Sequence, residues 1–300
     1  MALPALHALD QALATAVAAV APSVVHVSRG HGGGTGIVWS PDLVISSNFH
    51  TPDRTQVRIG LPAADGSLDE REAEVIGRDP GTDLAVLRVA GGGLPPATFR
   101  ELDGLGVGNL ALAIGRPGRT ARASLRAIGV LGPAIETPHG GTLDHYLESD
   151  RQIPRGFAGG PLIDPDGTVI GMNTRTLLRG ADLAIPTVTL RRVVDELVKH
   201  GGIRKGYLGV GAYPASLTAS LAQIAGRDEG ALIASLEEGG PGAAAGLIVG
   251  DIIIDVAGTP VTGPDTLRHT LASRAGDEVE IGLLRGGAKL AIKVTLGSKT

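Results

Sequence analysis

From Ser23 to about Thr187 the chain alternates apolar and polar positions in short, β-branched runs broken by glycine: SVVHVS, GIVWS, LVISS, QVRIG, DLAVLRV, LALAIG and TVIGMNT. A period of two buries one face of a strand and wets the other, so each run predicts a strand. Seven such runs without regular helices between them predict antiparallel barrels or a sandwich instead of a parallel sheet. The period then changes. Over TLRRVVDELVKHG, residues 189–201, Leu190, Val193, Val194, Leu197 and Val198 share one helical face and glycine ends the run, which predicts a domain-closing helix. At the N-terminus Leu3, Leu6, Leu9, Leu13, Val17 and Val20 recur at steps of three and four, predicting an amphipathic docking helix that ends near Pro22. After residue 201, GIRKGYLGV opens a second module with strands in GALIASLEE, DIIIDVAG, EVEIGLLRG and KLAIKVTLG and one short helix in DTLRHTLAS. The implied organisation is an N-terminal helical segment over 1–22, a β domain over 23–200, a linker over 201–205 and a second domain over 206–300.

Composition narrows the chemistry. Lysine and arginine total 27 against 31 aspartates and glutamates, a net charge of -4, so no basic field captures nucleic acid. The absence of cysteine removes disulfides, thiolate ligands and thiol nucleophiles together. No HExxH and no histidine and carboxylate cluster at ligand spacing occurs, so neither a metal nor a cofactor is implied. The first cation is Arg29 and Asp10 interrupts the early apolar run, which reads against a signal peptide; no other run is long enough to predict a membrane span. Location then depends on Met1: cytoplasmic if it is native, periplasmic or otherwise extracytoplasmic if a leader has been removed.

Three segments stand in a meaningful order: SNFH ending at His50, DPGTDLAVL containing Asp83, and GFAGGPLID centred on Ala158. In serine proteases an imidazole takes the hydroxyl proton, a buried aspartate fixes its tautomer, and amides of a glycine-rich turn bind the oxyanion. Histidine, aspartate, nucleophile is the chymotrypsin order. A lone histidine among eight is ordinarily a surface or core residue; the ordered set points to a site. The rival is an α/β-hydrolase, suggested by His31-Gly32-Gly33-Gly34 and by GFAGG as a G-x-S-x-G lacking its serine. Its order fails, because that fold places aspartate and then histidine after the nucleophile. Without a following Gly-Lys-Ser/Thr, the glycine run is also no phosphate loop, and it reads as a tight hairpin lead into GIVWS.

With these residues in view, the sequence resembles the HtrA (Deg) serine proteases. Ser47-Asn48-Phe49-His50 is similar to that family's Thr-Asn-x-His, Asp79 to Leu87 matches its aspartate segment, Gly156 to Leu162 resembles its nucleophile loop, and Gly167 to Thr174 continues the match. The resemblance implies a mainly β fold, a chymotrypsin-like double barrel followed by a PDZ domain. It implies ATP-independent endoproteolysis of unfolded or damaged polypeptides, in which His50 is general base, Asp83 orients it, and Gly156 with residue 158 supplies the oxyanion hole. It also implies small or aliphatic residues before the scissile bond and trimers built through the N-terminal segment, although residues 1–22 lack aromatics.

One essential position departs: Ala158 stands where the family carries its nucleophilic serine. A methyl group has no lone pair with which to attack a carbonyl, so the chain is expected to bind but not cleave. Retention of His50, Asp83 and the surrounding glycines favours a deliberately replaced serine over a natural pseudoprotease serving as a peptide-binding or chaperone-like protein. Substrate is expected to add as a strand near Asn173, Thr174, Arg175, Thr176 and Leu177. Phe157 stands where the family commonly has asparagine, and Arg151 and Arg155 bring two cations to the entrance. In the second module Gly206-Tyr207-Leu208-Gly209-Val210 resembles a PDZ carboxylate loop, with Arg268 or His269 expected in the groove for peptide C-termini.

Overall fold

The computed structural model of the chain describes residues 3–28, 33–51, 54–63, 65–178, 180–181, 183–272 and 274–299. His31, Gly32 and Ser273, each part of a run singled out above, lie outside them. Two compact units form, Met1–Ile203 and Arg204–Thr300.

In the first unit α1 (Leu3–Val20) and a tight turn lead into six strands, β1 (Val24–Ser28), β2 (Gly33–Ser40), β3 (Leu43–Ser47), β4 (Gln56–Pro62), β5 (Leu68–Asp79) and β6 (Leu84–Val89). They close a barrel in the order β1-β2-β3-β6-β5-β4. The hydrophobic pattern predicted all but β5, whose LDEREAEVIGRD is too charged to show an apolar alternation. Pairing with β4 and β6 on its two sides decides it instead. The next strands are β7 (Leu110–Gly115), β8 (Arg122–Gly132), the short ribbon β9 (Ile135–Glu136) and β10 (Thr142–Leu143), then β11 (Tyr146–Ser149), β12 (Pro161–Ile163), β13 (Val169–Asn173) and β14 (Ala184–Pro186). The order β11-β8-β7-β12-β13-β14 curls until a bridge between Glu148 and Leu183 joins its ends, so the two predicted barrels are both present.

Ile37, Ile45, Leu84 and Val86 of the first barrel and Leu112, Ile114, Ile163 and Met172 of the second share one buried cluster with Leu190, Val193, Val194 and Leu197. Those last four lie on α2 (Thr187–His200), capped by Gly201 at φ 74°, as the period and the terminal glycine predict. The N-terminal helix departs from its predicted stripe. Ala16 and Val20 are buried in the same cluster, with Leu13 and Val17 against it, while Leu6 and Leu9 are 64% and 40% exposed. By length and composition alone the segment Pro4–Ser23, mean hydropathy 1.2, is also long and apolar enough to cross a membrane. Asp10 lies within it and, contrary to the expectation from sequence, does not break it.

The second unit comprises β15 (Lys205–Tyr207), β16 (Val210–Ser216), α3 (Ala219–Ala225), β17 (Glu229–Leu236), α4 (Pro241–Ala244), β18 (Ile252–Val256), β19 (Thr259–Pro260), α5 (Pro264–Ala272), β20 (Glu278–Arg285), β21 (Ala288–Thr295) and β22 (Gly297–Lys299). The main sheet runs β16-β17-β18-β20-β21, which leaves β16 as an edge. Buried Asp251 pins the connection into β18, taking the Ile248 amide (2.9 Å) and both arms of Arg285 (2.8 and 2.7 Å). Burial raises the Asp251 carboxyl, but hydrogen bonds from Arg285 and the Ile248 amide outweigh it and hold the group below the usual carboxylate range. Its contribution is therefore complete above the unfolded carboxylate value and is lost as pH falls through the lower folded one. Asp251→Asn is expected to cost this unit about 2 kcal/mol at neutral pH. Urea unfolding followed by hydrogen exchange in residues 204–300 measures it; an unchanged midpoint would refute the role.

Candidate active site

Asp83 is delivered by the turn that precedes it. The Asp79 carboxylate accepts from the Gly81 amide (3.0 Å) and from the Thr82 amide and hydroxyl (3.1 and 2.7 Å), a local pattern aspartate readily makes. Asp83 follows at φ 55°, a left-handed conformation that a residue with a side chain keeps only when its surroundings impose it. Its surroundings do so. Ser47 Oγ lies 2.9 and 2.8 Å from the two carboxylate oxygens, the Phe49 amide donates to one (3.1 Å), Thr174 Oγ1 donates to the other (2.6 Å), and the Asp83 carbonyl accepts from the Asn48 amide (2.9 Å).

Burial pushes the Asp83 carboxyl above its ordinary value, against the lowering by Thr174, Ser47, Thr176 and the Phe49 amide. A raised folded value means the native chain holds a proton that the unfolded chain has already released. The contribution of Asp83 to stability therefore falls as pH rises from the unfolded value near 3.8 through the raised folded one. Asp83→Asn should gain stability relative to the parent over that window; a difference between the two proteins that does not vary with pH would refute this.

His50 ends the short turn Asn48–His50 that follows β3, and it is 4% exposed. Gly34 in β2 makes room for it, since a Cβ there would overlap the imidazole. Ser46 Oγ donates to the Thr35 carbonyl (2.7 Å) and lies 3.3 Å from His50 Nδ1. With its one proton spent on that carbonyl, Ser46 can only accept from the ring. A hydrogen on Nδ1 suits that contact, and it is the tautomer in which Nε2 carries the lone pair that a general base needs.

The loop from Gly156 to Gly160 is shaped by left-handed glycines, φ 83° at Gly156 and 80° at Gly159. Phe157 donates to Pro154 O (3.2 Å), Gly159 to Asn173 O (2.8 Å) and Gly160 to Phe157 O (2.9 Å). Among the described residues nothing accepts from the amides of Gly156 and Ala158. Thr35 holds this loop in place: its hydroxyl donates to Gly156 O (2.6 Å) and accepts from the Arg116 amide (2.8 Å), while its own amide donates to Ala158 O (3.3 Å). Gly34 beneath the imidazole and Thr35 beneath the loop are consecutive, so one strand sets both. The sequence marks this stretch as a hairpin lead in preference to an esterase-type segment; the roles of Gly34, Thr35 and Ser46 come from the fold, and the adjacent small residues are their signal in the chain.

The profile of the trypsin-like peptidase domain matches residues 34–172 and that of the PDZ domain matches residues 206–296. A probable periplasmic serine endoprotease, DegP-like, from Chlamydia pneumoniae is 33% identical over 270 residues, covering 88% of this chain and 54% of its own length. Its counterpart from Halomonas elongata is 34% identical over 272 residues, covering 88% and 56%. The chain thus spans about half the length of these curated relatives. Among solved structures the HtrA-type protease AlgW with a decapeptide superposes with a TM-score of 0.71 at 26% identity, covering 96% of this chain and 99% of AlgW. The serine endoprotease from Yersinia pestis gives 0.69 at 26%, covering 96% and 98%. The chain carries a trypsin-like peptidase domain followed by a PDZ domain and is similar to the HtrA/DegP-type proteases.

Within the peptidase unit the residues expected to pair with substrate are only partly available. Asn173 is buried and braces the glycine loop, its Nδ2 donating to Gly160 O (3.0 Å) and Pro161 O (2.9 Å). Thr174 is buried on Asp83, its amide given to Leu183 O (2.8 Å), and Leu177 lies in the barrel core. Arg175 and Thr176 alone of the five are exposed, because β14 already occupies the edge of β13. Phe157 is buried, packed where a Cβ on Gly115 would collide with its ring. Arg151 pairs with Asp150 (3.3 Å).

In the PDZ unit a groove of about 260 Å³ opens between the start of β16 and α5, lined by Tyr207, Leu208, Gly209, Val210, Leu267, Arg268 and Leu271 among others. Among the described residues nothing accepts from the amides of Leu208 and Gly209. The groove floor is aliphatic, and Leu267 and Leu271 were not foreseen. Arg268 stands at the rim, exposed and paired with Asp265 (2.8 Å), whereas His269 is exposed and is not among the lining residues.

Proposed function

We propose that the barrel unit is the catalytic scaffold of an ATP-independent serine endopeptidase acting on unfolded or damaged polypeptides, with Ala158 in the nucleophile's position. The observation that carries this reading is the pair of unclaimed amides at Gly156 and Ala158, held by the same strand that seats His50. In the serine form the hydroxyl at 158 attacks the scissile carbonyl as His50 takes its proton, and the oxygen that becomes negative meets the two amides. His50 then returns the proton to the leaving amine, and Asp83, held by Ser47 and Thr174, orients the ring by fixing the turn that carries it. The parent chain lacks only the attacking atom and holds peptide without turnover.

The exposed edge of β16, the free amides of Leu208 and Gly209 and the aliphatic groove support capture of peptide C-termini by strand addition. An extracytoplasmic location is favoured by the periplasmic designation of the relatives and by the apolar helix α1. The second reading, a natural peptide-binding pseudoprotease, draws on Ala158 itself. Cleavage of unfolded casein by Ala158→Ser, with and without His50→Ala, separates the two.

Thr35 supplies an independent check. In the Ala158→Ser background Thr35→Val removes the donor to Gly156 O and the acceptor for the Arg116 amide, and kcat is expected to fall about tenfold with KM little changed. Thr35→Ser should restore most of the rate. Equal kcat for Thr35→Val would remove Thr35 from the positioning of the loop.

A further inference from the structure

Beside the glycine loop the hairpin between β7 and β8 forms a second pocket, of about 240 Å³, lined by Pro117, Gly118, Arg119, Thr120, Arg122 and Arg155. Three of its six lining residues are arginines. None of the three guanidinium groups has an acidic partner among the described residues, whereas Arg58, Arg71, Arg100, Arg151, Arg191, Arg192, Arg268 and Arg285 each pair with a carboxylate. Like charges gathered in one concavity repel, and they are stabilised when an anion enters.

The pocket walls are fixed from below. Buried Arg116 donates to Arg119 O (2.7 Å), Val24 O (2.6 Å) and Ala21 O (2.9 Å), which pins the hairpin tip to the turn after α1 and the start of β1. Buried Arg126 donates to Arg151 O (2.8 Å) and Gln152 O (2.9 Å), which pins the segment leading to Arg155. Pro117 lies directly against Gly156, where a Cβ would collide with it, so the pocket adjoins one of the two unclaimed amides. A polypeptide lying across Gly156 would bring its neighbouring side chains within reach of the three arginines.

We propose that Arg119, Arg122 and Arg155 form a carboxylate-binding subsite that selects polypeptides with an acidic side chain near the segment held by the glycine loop. The inference rests on the peptide-binding reading above and adds a substrate class to it. Planar guanidinium groups match a carboxylate with two parallel hydrogen bonds, so arginine in all three places suits this ligand better than lysine would.

The test uses the parent chain, in which Ala158 permits binding without turnover under that reading. Two unstructured fluorescein-labelled peptides of one sequence carry either glutamate or glutamine at four spaced positions. Both have amidated C-termini, so that the PDZ groove gains no carboxylate. Anisotropy titration at low salt should show the glutamate peptide binding about fivefold more tightly. The triple variant Arg119→Gln/Arg122→Gln/Arg155→Gln should bind both peptides as the parent binds the glutamine one, which also verifies that its cleft is intact. Equal affinities in the parent, or a preference that survives in the triple variant, would overturn the subsite and leave the peptide-binding reading standing. If neither peptide binds either protein, that reading itself fails and the subsite with it. Saturable binding of inorganic phosphate that needs the arginines, with no discrimination between the peptides, would mark a small-anion site and also overturn the proposal.

Discussion

Ala158→Ser is expected to cleave unfolded casein where the parent chain does not, and adding His50→Ala is expected to abolish that cleavage. The size of the effect follows from what alanine lacks. Without an attacking oxygen no acyl-enzyme forms, and in serine proteases loss of the nucleophile lowers turnover about 10⁶-fold, equivalent to about 8 kcal/mol of barrier. A hydroxyl at 158 would enter a loop whose amides at 156 and 158 are unclaimed and whose carbonyls are already held by Thr35. Cleavage by Ala158→Ser is therefore expected without any other change. The pair of variants also distinguishes contamination from catalysis, because a co-purified protease would ignore His50→Ala. A folded Ala158→Ser that binds casein and leaves it intact would overturn the protease reading in favour of the pseudoprotease.

Gly34→Ala, made in the Ala158→Ser background, is expected to lower kcat/KM about 10³-fold, nearly the whole contribution of a general base. The added Cβ would occupy the volume of the His50 imidazole, and the ring must leave its seat to admit it. Gly34 sits in β2 opposite Val27 with an ordinary strand conformation, so alanine suits its backbone and the barrel should stay closed. Overpacking would cost about 1 to 3 kcal/mol of stability. Casein binding by Gly34→Ala on the parent Ala158 chain should be retained, which separates a displaced imidazole from an unfolded domain. Cleavage within a factor of about three of the Ala158→Ser protein would show that His50 is seated in some other way.

Much of the site was legible because its chemistry is carried by local patterns. Asp79-Pro80-Gly81-Thr82 is a turn whose first carboxylate satisfies the amides that follow, so Asp83 is predictable as a residue fixed at the start of a strand. Gly156 and Gly159 bracket Ala158 in the loop that left-handed glycines allow. Other parts depend on partners distant in sequence. The hydroxyls of Ser47 and Thr174 converge on Asp83 from 36 and 91 residues away, and Thr35 reaches Gly156 across 121. No period or spacing encodes those meetings. Asn173 and Thr174, expected at the substrate, instead carry the glycine loop and the aspartate, because β14 had already claimed their strand edge.

By itself the sequence determined two β-rich modules, the helix that closes the first, the order of histidine, aspartate and glycine loop, and the alanine at its centre. These follow from short-range properties, namely the period of apolar positions, the freedom of glycine and the chemistry of single side chains. The tertiary structure alone decided which surfaces of those elements meet. It placed the charged strand β5 in a barrel, buried only Ala16 and Val20 of α1, and gave Gly34 and Thr35 their roles beneath His50 and the glycine loop. It also gathered Arg119, Arg122 and Arg155 into one pocket. Close packing between segments far apart in the chain makes these assignments, and a linear pattern carries no record of which neighbour will fill a missing Cβ or take a hydroxyl's proton.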